Sequence, residues 1–280
     1  MRLGDVIAAL EVRYDPRLAE DWDAVGLVCG DRDEPVGRVV FAVDPTSAVV
    51  DEVLAAGAGL LVTHHSLLMR GVHGVPADDP KGRVVHRLVR GGAGLFVAHT
   101  NADRAPDTGV NDALAGALDL VDPVPLQPAG DDPRAGLGRV GRLAAPESLR
   151  AFGQRVAAAL PAAEGGVRIA GDVDRMIGTV AVCGGAGGSL LPAAAAAGAD
   201  VLLTSDLRHH PTSEAGEDAV LDPSRPALVD VAHWASEWPW LPVAARALRA
   251  DLGGAVEVVV SQLRTDPWTA HVASRPGGPG

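Results

Sequence analysis

Cysteine is scarce in this chain. Cys29 and Cys183 are the only two, they lie far apart, and neither belongs to a CxxC pair. A reduced, cytoplasmic protein is the simplest reading, and the pattern argues against a thiolate-bound metal. Aromatic residues are also sparse, at 3%, whereas 47% of the 280 residues are hydrophobic, mostly Ala, Val and Leu. That is the composition of a tightly packed α/β protein. Positive charge is in deficit: 24 Lys and Arg stand against 36 Asp and Glu, a formal net charge of −12. With no local basic stripe, a nucleic-acid partner is not expected. No apolar run reaches the ~18 residues of a membrane-spanning helix. The opening MRLGDVIAALEVRYD carries Asp5 and Glu11 inside its apolar pattern, which marks an amphipathic helix and not a signal peptide.

What is present is alternation. RVVFAVD (Arg38 to Asp44) reads as a buried strand, SAVVDEVLAAG as a helix stopped by Gly57, and LLVT as the next strand. Helix GRVVHRLVRGG, strand GLFVAH and helix GVNDALAGALDL follow, which implies βαβ units and a largely parallel sheet. The stretch 122–136, DPVPLQPAGDDPRAG, reads as a linker between lobes. The expected division is a first α/β lobe over 1–128 and a second over 129–280, ending in a flexible tail, SRPGGPG.

The second half repeats the first. GTVAVCGGAGGSLLPAAAAAGADVLLTSD parallels GRVVFAVDPTSAVVDEVLAAGAGLLVTHH, and LVDVAHWASE parallels LFVAHTNAD. In the last pair a strand ends Ala-His and a carboxylate follows four residues later: His99 to Asp103, His233 to Glu237. The fold class read from this is α/β, two similar lobes related by a pseudo-twofold axis. Functional side chains gather beyond the carboxyl ends of parallel strands. His64, His65, Asp103, Asp206, His233 and Glu237 all stand there, and facing lobes bring those ends into one cleft.

Singly, each of these residues has an ordinary explanation. Adjacent loop histidines are usually solvated, Asp103 suits a turn or cap, and a His–Glu pair at i, i+4 suits a helix start. Successive extended residues also point to opposite faces, so His64 and His65 require a bend or two ions. Together the five suggest a metal centre of His64, His65, Asp103, His233 and Glu237. Imidazole and carboxylate donors suit Zn, Mn, Fe, Co or Ni. Five are too many for one open tetrahedral ion, but they suit two ions about 3.5–4 Å apart sharing a carboxylate and a water, an arrangement suited to hydrolysis. His99, Asp206 and His210 are candidates for orienting the ligands from behind; Asp206 and His210 read equally well as a helix cap and a solvated histidine. The glycine-rich CGGAGGS is a weak candidate anion cradle, lacking the Lys-Ser/Thr of a phosphate loop. Trp234, Trp238 and Trp240 read as core packing, with a pocket wall or subunit contact as alternatives.

The stretches WDAVGLVCGD, VTHHSLLMRGV, AHTNADRAPDTGVNDALAGAL, CGGAGGSLLPAAAAAGADVLLTSDLRHH and DVAHWASE resemble, in that order, the motifs of the GTP cyclohydrolase 1 type 2 homologue family, also called NIF-three-like. The match runs from Asp21 to Glu237 and on to the closing TDPW. The resemblance implies two similar α/β lobes, a dinuclear metal site and a toroidal homohexamer built as a trimer of dimers. By motif, its ligands fall on His64, His65, Asp103, His233 and Glu237, with Glu237 bridging. It names a candidate reaction on a nucleotide substrate, hydrolytic opening of the guanine imidazole ring of GTP. A metal-dependent phosphoesterase and a non-catalytic metal-binding assembly protein are the alternatives. The family usually has Asn at Ala24, Pro at Ser66, Lys at Arg70 and Tyr at His209. None of these departures removes a ligand; they bear on the substrate pocket.

Overall fold

The computed structural model describes residues 1–273; the tail 274–280 lies outside the described residues. Helix α1 (Leu3–Arg13) leads into β1 (Gly26–Cys29) and β2 (Arg38–Ala42), then α2 (Ser47–Ala55), β3 (Leu60–Thr63), α3 (Pro80–Arg90) and β4 (Gly94–Val97). Two short helices follow, α4 (Thr100–Arg104) and α5 (Val110–Ala117). Next come β5 (Val121–Pro128), β6 (Gly136–Ser148), α6 (Leu149–Ala159), β7 (Arg168–Ala170), β8 (Met176–Val182), α7 (Leu191–Ala196) and β9 (Val201–Ser205). The chain continues through α8 (His209–Leu221), β10 (Ala227–Val231), α9 (His233–Glu237), α10 (Trp240–Asp251) and β11 (Glu257–Val260).

Local chemistry accounts for the helix boundaries. Thr46 caps α2 by accepting from the Val49 amide, and Gly57 takes the left-handed conformation just beyond its end (φ 59°). Asp79 caps α3, accepting from the amides of Lys81 and Gly82, with Pro80 at the first helical position.

The strands form two sheets, ordered β1-β4-β3-β2-β11 and β5-β6-β8-β9-β10-β7. Each holds a parallel trio, β2-β3-β4 in one and β8-β9-β10 in the other. Each trio is flanked beside its last strand by an antiparallel one, β1 or β7. The repeat seen in the sequence is therefore a repeat of strand order. Successive residues of β2 are buried on opposite faces. Val39 and Phe41 join a core with α1 and α10, while Val40 and Ala42 join one with α2 and α3. Continuous apolar strands such as LLVT follow from this double covering. The second sheet is covered likewise, by α5 and α6 on one face and by α7 and α8 on the other. Helix α5 joins the two: Val110 and Ala113 belong to the first core, Leu114 and Leu118 just after it to the second.

Sheet membership crosses the division expected at 128/129. The stretch expected as a linker, 122–136, is strand through Pro128 and again from Gly136: β5 and the start of β6 pair antiparallel, with Gln127 opposite Leu137. Its prolines are tolerated because β5 is the outer edge of its sheet, and an edge strand uses only one of its hydrogen-bonding sides. At the other end of the chain β11 returns to the first sheet, parallel to β2 with Val258 opposite Val39. Among the described residues no helix is long and apolar enough to cross a membrane.

Candidate metal centre

His64 and His65 extend the β2–β3 ladder by two rungs. The His64 amide donates to the Ala42 carbonyl (3.3 Å) and the His65 amide to that of Val43 (2.9 Å). The Thr63 hydroxyl donates to the His65 carbonyl (2.9 Å), turning the chain so that both rings face one region with centroids 5.1 Å apart. A straight strand would have sent them to opposite faces. His233 and Glu237 lie one turn apart on α9, whose short span follows directly from the end of β10. Asp103 lies on α4, one turn after His99.

These residues meet around the Glu237 carboxylate. Its Oε1 lies 3.3 Å from His64 Nε2 and 2.9 Å from His233 Nε2, and its Oε2 lies 3.0 Å from His65 Nε2. Asp103 Oδ1 is 3.6 Å from His64 Nε2, and the Nε2 atoms of His65 and His233 are 3.2 Å apart. Donors about 2.0–2.2 Å from an ion are separated from their nearest co-ligands by roughly 3.0–3.5 Å. The observed spacings, 2.9–3.6 Å, lie within about 0.1 Å of that range.

The far side of each ring settles which nitrogen is free. His64 Nδ1 is 3.0 Å from the Ala98 carbonyl, which can only accept, so the proton sits on Nδ1 and neutral Nε2 carries the lone pair. His65 Nδ1 meets Asp44 Oδ1 (2.7 Å) and His233 Nδ1 meets Asp206 Oδ2 (2.8 Å). When neutral, all three rings therefore turn lone pairs toward each other and toward two carboxylates. Acceptors facing acceptors need a cation. His64 Nε2, Asp103 Oδ1 and Glu237 Oε2 are also buried with no hydrogen-bond partner among the described residues, in a place where His64 is 1% and Glu237 2% exposed. Such orphaned atoms are costly unless something satisfies them. The residues present fit a bound metal ion, and each histidine has the outer acceptor that ligating imidazoles ordinarily have.

Charge follows the same geometry. Burial opposes protonation of His65, but the Glu237 carboxylate and Asp44 outweigh it and raise its pKa to about 11. Against the same burial, Glu237 and Asp206 raise His233 to about 9. Glu237 itself, despite burial, is held well below the usual carboxylate range by the surrounding imidazoles. Asp103 moves up, first from burial and then despite His64, with Glu237 adding to the rise. Without metal, protonated histidines balance Glu237.

Not every residue singled out in the sequence belongs to this cluster. Asp206 orients His233 and holds a left-handed backbone (φ 57°) to do so. His99 has the wiring of a ligand: its Nδ1 meets Asp23 (2.9 Å) and its ring lies 5.2 Å from that of His64. Among the described residues two overlapping groups of donors could hold a metal ion, His64–His65–His99 and His65–His233–Glu237. His210 is exposed on α8 against His209, outside both groups. The CGGAGGS loop is not free to cradle an anion: the amides of Gly184, Gly185 and Gly187 donate to Asn111, Ser236 and Thr204. It instead closes over the cluster. A Cβ at Gly185 (φ 65°) would stand 2.5 Å from Glu237 Oε1. Trp240 is core, fully buried 5.5 Å from the His64 ring, its indole N–H donating to Tyr14.

Sequence reasoning named Asp206 but missed the outer partners Asp44 and Asp23. Asp44 ends the apolar run RVVFAVD, and Asp23 sits inside the quoted WDAVG; a lone carboxylate just past a strand was the available signal for Asp44. Asn111 links the Asp103 carbonyl (2.9 Å) to the Gly184 amide (3.0 Å), and nothing local marked it.

Known proteins of the same build share this arrangement of chain. The family model described as Duf34/NIF3 (NGG1p interacting factor 3) matches residues 1–267. A protein of Streptomyces coelicolor named GTP cyclohydrolase 1 type 2 homolog is 52% identical over 280 residues, covering 98% of this chain and 96% of that one. A Mycobacterium tuberculosis protein of the same name is 40% identical over 374 aligned positions, covering 96% of this chain and 97% of its own. Among solved structures, a Bacillus cereus protein related to NIF3 superposes with a TM-score of 0.85 at 22% identity, covering 96% and 99% of the two chains. The chain belongs to the Duf34/NIF3 family, as its motifs implied.

Proposed function

We propose that the protein is a dinuclear divalent-metal hydrolase. The observation that carries this is the engagement of both Glu237 oxygens by different histidines, Oε1 by His64 and His233 and Oε2 by His65. Around that shared carboxylate the neighbouring donors pair as His64 with Asp103 (3.6 Å) and His65 with His233 (3.2 Å). Two ions held there would supply an activated water and a Lewis acid. The chain's part is to fix the ring tautomers through Ala98, Asp44 and Asp206, and to keep Glu237 ionised in a dry place. Zn, Mn, Fe, Co and Ni all suit such donors. The candidate reaction, taken from the name its relatives carry, is hydrolytic opening of the guanine imidazole ring. The assembly proposed with it is a homohexamer, a trimer of dimers.

The test is metal content together with turnover. Protein supplied with metal is expected to hold about two ions per chain. Glu237→Ala should lose both and His210→Ala neither. Metal-dependent turnover is then sought across nucleotides, phosphoesters and amides, with Asp103→Ala as the inactive control. Full metal retention in Glu237→Ala refutes the dinuclear site. A loaded protein without turnover on any of them selects the non-catalytic, assembly reading.

A further inference from the structure

A cavity of about 790 Å³ opens beside the metal centre. His65 and His233 line it with Asp44 and Asp206, and so do Glu164, Asp230 and Asp266. Five carboxylates thus face one space. Among the described residues Arg168 is the one Lys or Arg in its lining, and that guanidinium is bound through Nε and Nη2 to Asp230. Glu164 is paired from outside the lining by Arg264 (3.0 Å).

Two further features of the wall point to what it receives. Asp266 is 8% exposed, and its Oδ2 has no hydrogen-bond partner among the described residues. A buried carboxylate oxygen without a donor is an acceptor still to be satisfied. Burial, with Glu164 and Asp44 adding to it, raises the Asp266 carboxyl above its ordinary value. On the same wall Trp268 is 69% exposed, a large indole in contact with water beside a cavity.

We infer that this cavity receives the substrate of the metal centre as a planar, neutral or cationic nitrogen heterocycle rich in N–H donors, and rejects a polyphosphate chain. The inference rests on the hydrolytic reading of the centre and adds the substrate class. Ionised carboxylates only accept, so they select N–H donors. An exposed indole stacks on a planar ring, more strongly if the ring is cationic. Charges of one sign lining a cleft reinforce one another's field. One anionic oxygen can be balanced at the metal centre itself. A triphosphate extending along the wall meets further carboxylates and, among the described residues, no unpaired Lys or Arg.

The experiment is equilibrium binding of guanosine, adenosine, GTP and ATP to the metal-supplied protein, with metal content measured on the same preparation. Each nucleoside is expected to bind at least tenfold more tightly than its triphosphate, with the gap narrowing as salt is added. Trp268→Ala and Asp266→Asn should each weaken guanosine binding about tenfold with metal content unchanged. Triphosphates binding as tightly as nucleosides, neither nucleoside binding, or both variants binding guanosine normally would overturn the inference. A preparation that takes up no metal sinks the hydrolytic reading instead, whatever the order of affinities.

Discussion

Replacing Asp44 by Asn tests the wiring behind the metal centre. Asparagine keeps the shape and one acceptor oxygen, so the His65 Nδ1–H still has a partner, but the charge is gone. Asp44 holds His65 at 2.7 Å with its side chain 25% exposed, and it also accepts from the Thr265 hydroxyl. Asp206 does the same for His233 at 2.8 Å but is 58% exposed. Removing such an outer partner ordinarily weakens metal binding about 10–100-fold, or roughly 1.4–2.7 kcal/mol. Water screens Asp206 more, so Asp44→Asn should cost more than Asp206→Asn. Asp44 also favours the proton that competes with metal on His65. At neutral pH the two effects partly cancel, so the loss falls toward the lower end. It should grow as pH rises toward about 11, where His65 of the metal-free parent loses its proton. Competition against a chromophoric chelator at pH 7 and pH 9 measures this. Melting with a strong chelator present separates a damaged fold from a damaged site. Undiminished affinity in Asp44→Asn at both pH values, or a larger loss in Asp206→Asn, would refute the reasoning.

Metal uptake should release protons. With His65 at about 11 and His233 at about 9 in the metal-free protein, both are charged at pH 7.5, and binding there should displace roughly two protons per chain. Calorimetry in two buffers of different ionisation enthalpy counts them, and a count of zero contradicts the arrangement. Both pKa values are raised above the unfolded value of about 6.5. Their stabilisation of the metal-free fold is therefore fully present below about pH 6.5, and is lost as pH rises through about 9 and then about 11. The metal-free protein should accordingly melt lower at pH 9.5 than at pH 6.5, whereas metal should bind more tightly at the higher pH. Light scattering should give six times the chain mass; a monomer across a wide concentration range would dismiss the hexamer.

Period and punctuation carried much of the fold in the sequence itself. LLVT reads as a doubly covered strand because apolar side chains fill both of its faces, and SAVVDEVLAAG reads as a helix because Gly57 can take the left-handed turn that ends it. The spacing of His233 and Glu237 places both on one face of a helix turn by geometry alone. The repeat of strand order was legible too, since its two copies keep the same succession of strand, helix and strand. Other features depended on partners remote in the chain. Val121–Pro128 has a linker's composition and is a strand only because β6 supplies its hydrogen bonds and the sheet's edge forgives its prolines. EVVV at 257–260 carries no mark of which sheet it joins; β2 decides that. The meeting of His65 with His233 spans 168 positions, and the choice of Asp44, Asp206 and the Ala98 carbonyl as outer acceptors fixes which ring nitrogen faces the cluster. A hydrogen bond needs its acceptor within about 3 Å: neighbouring strands bring Asp44 to His65, Ala98 to His64 and Asp206 to His233, whereas the packing of the two sheets about α5 brings His65 to His233.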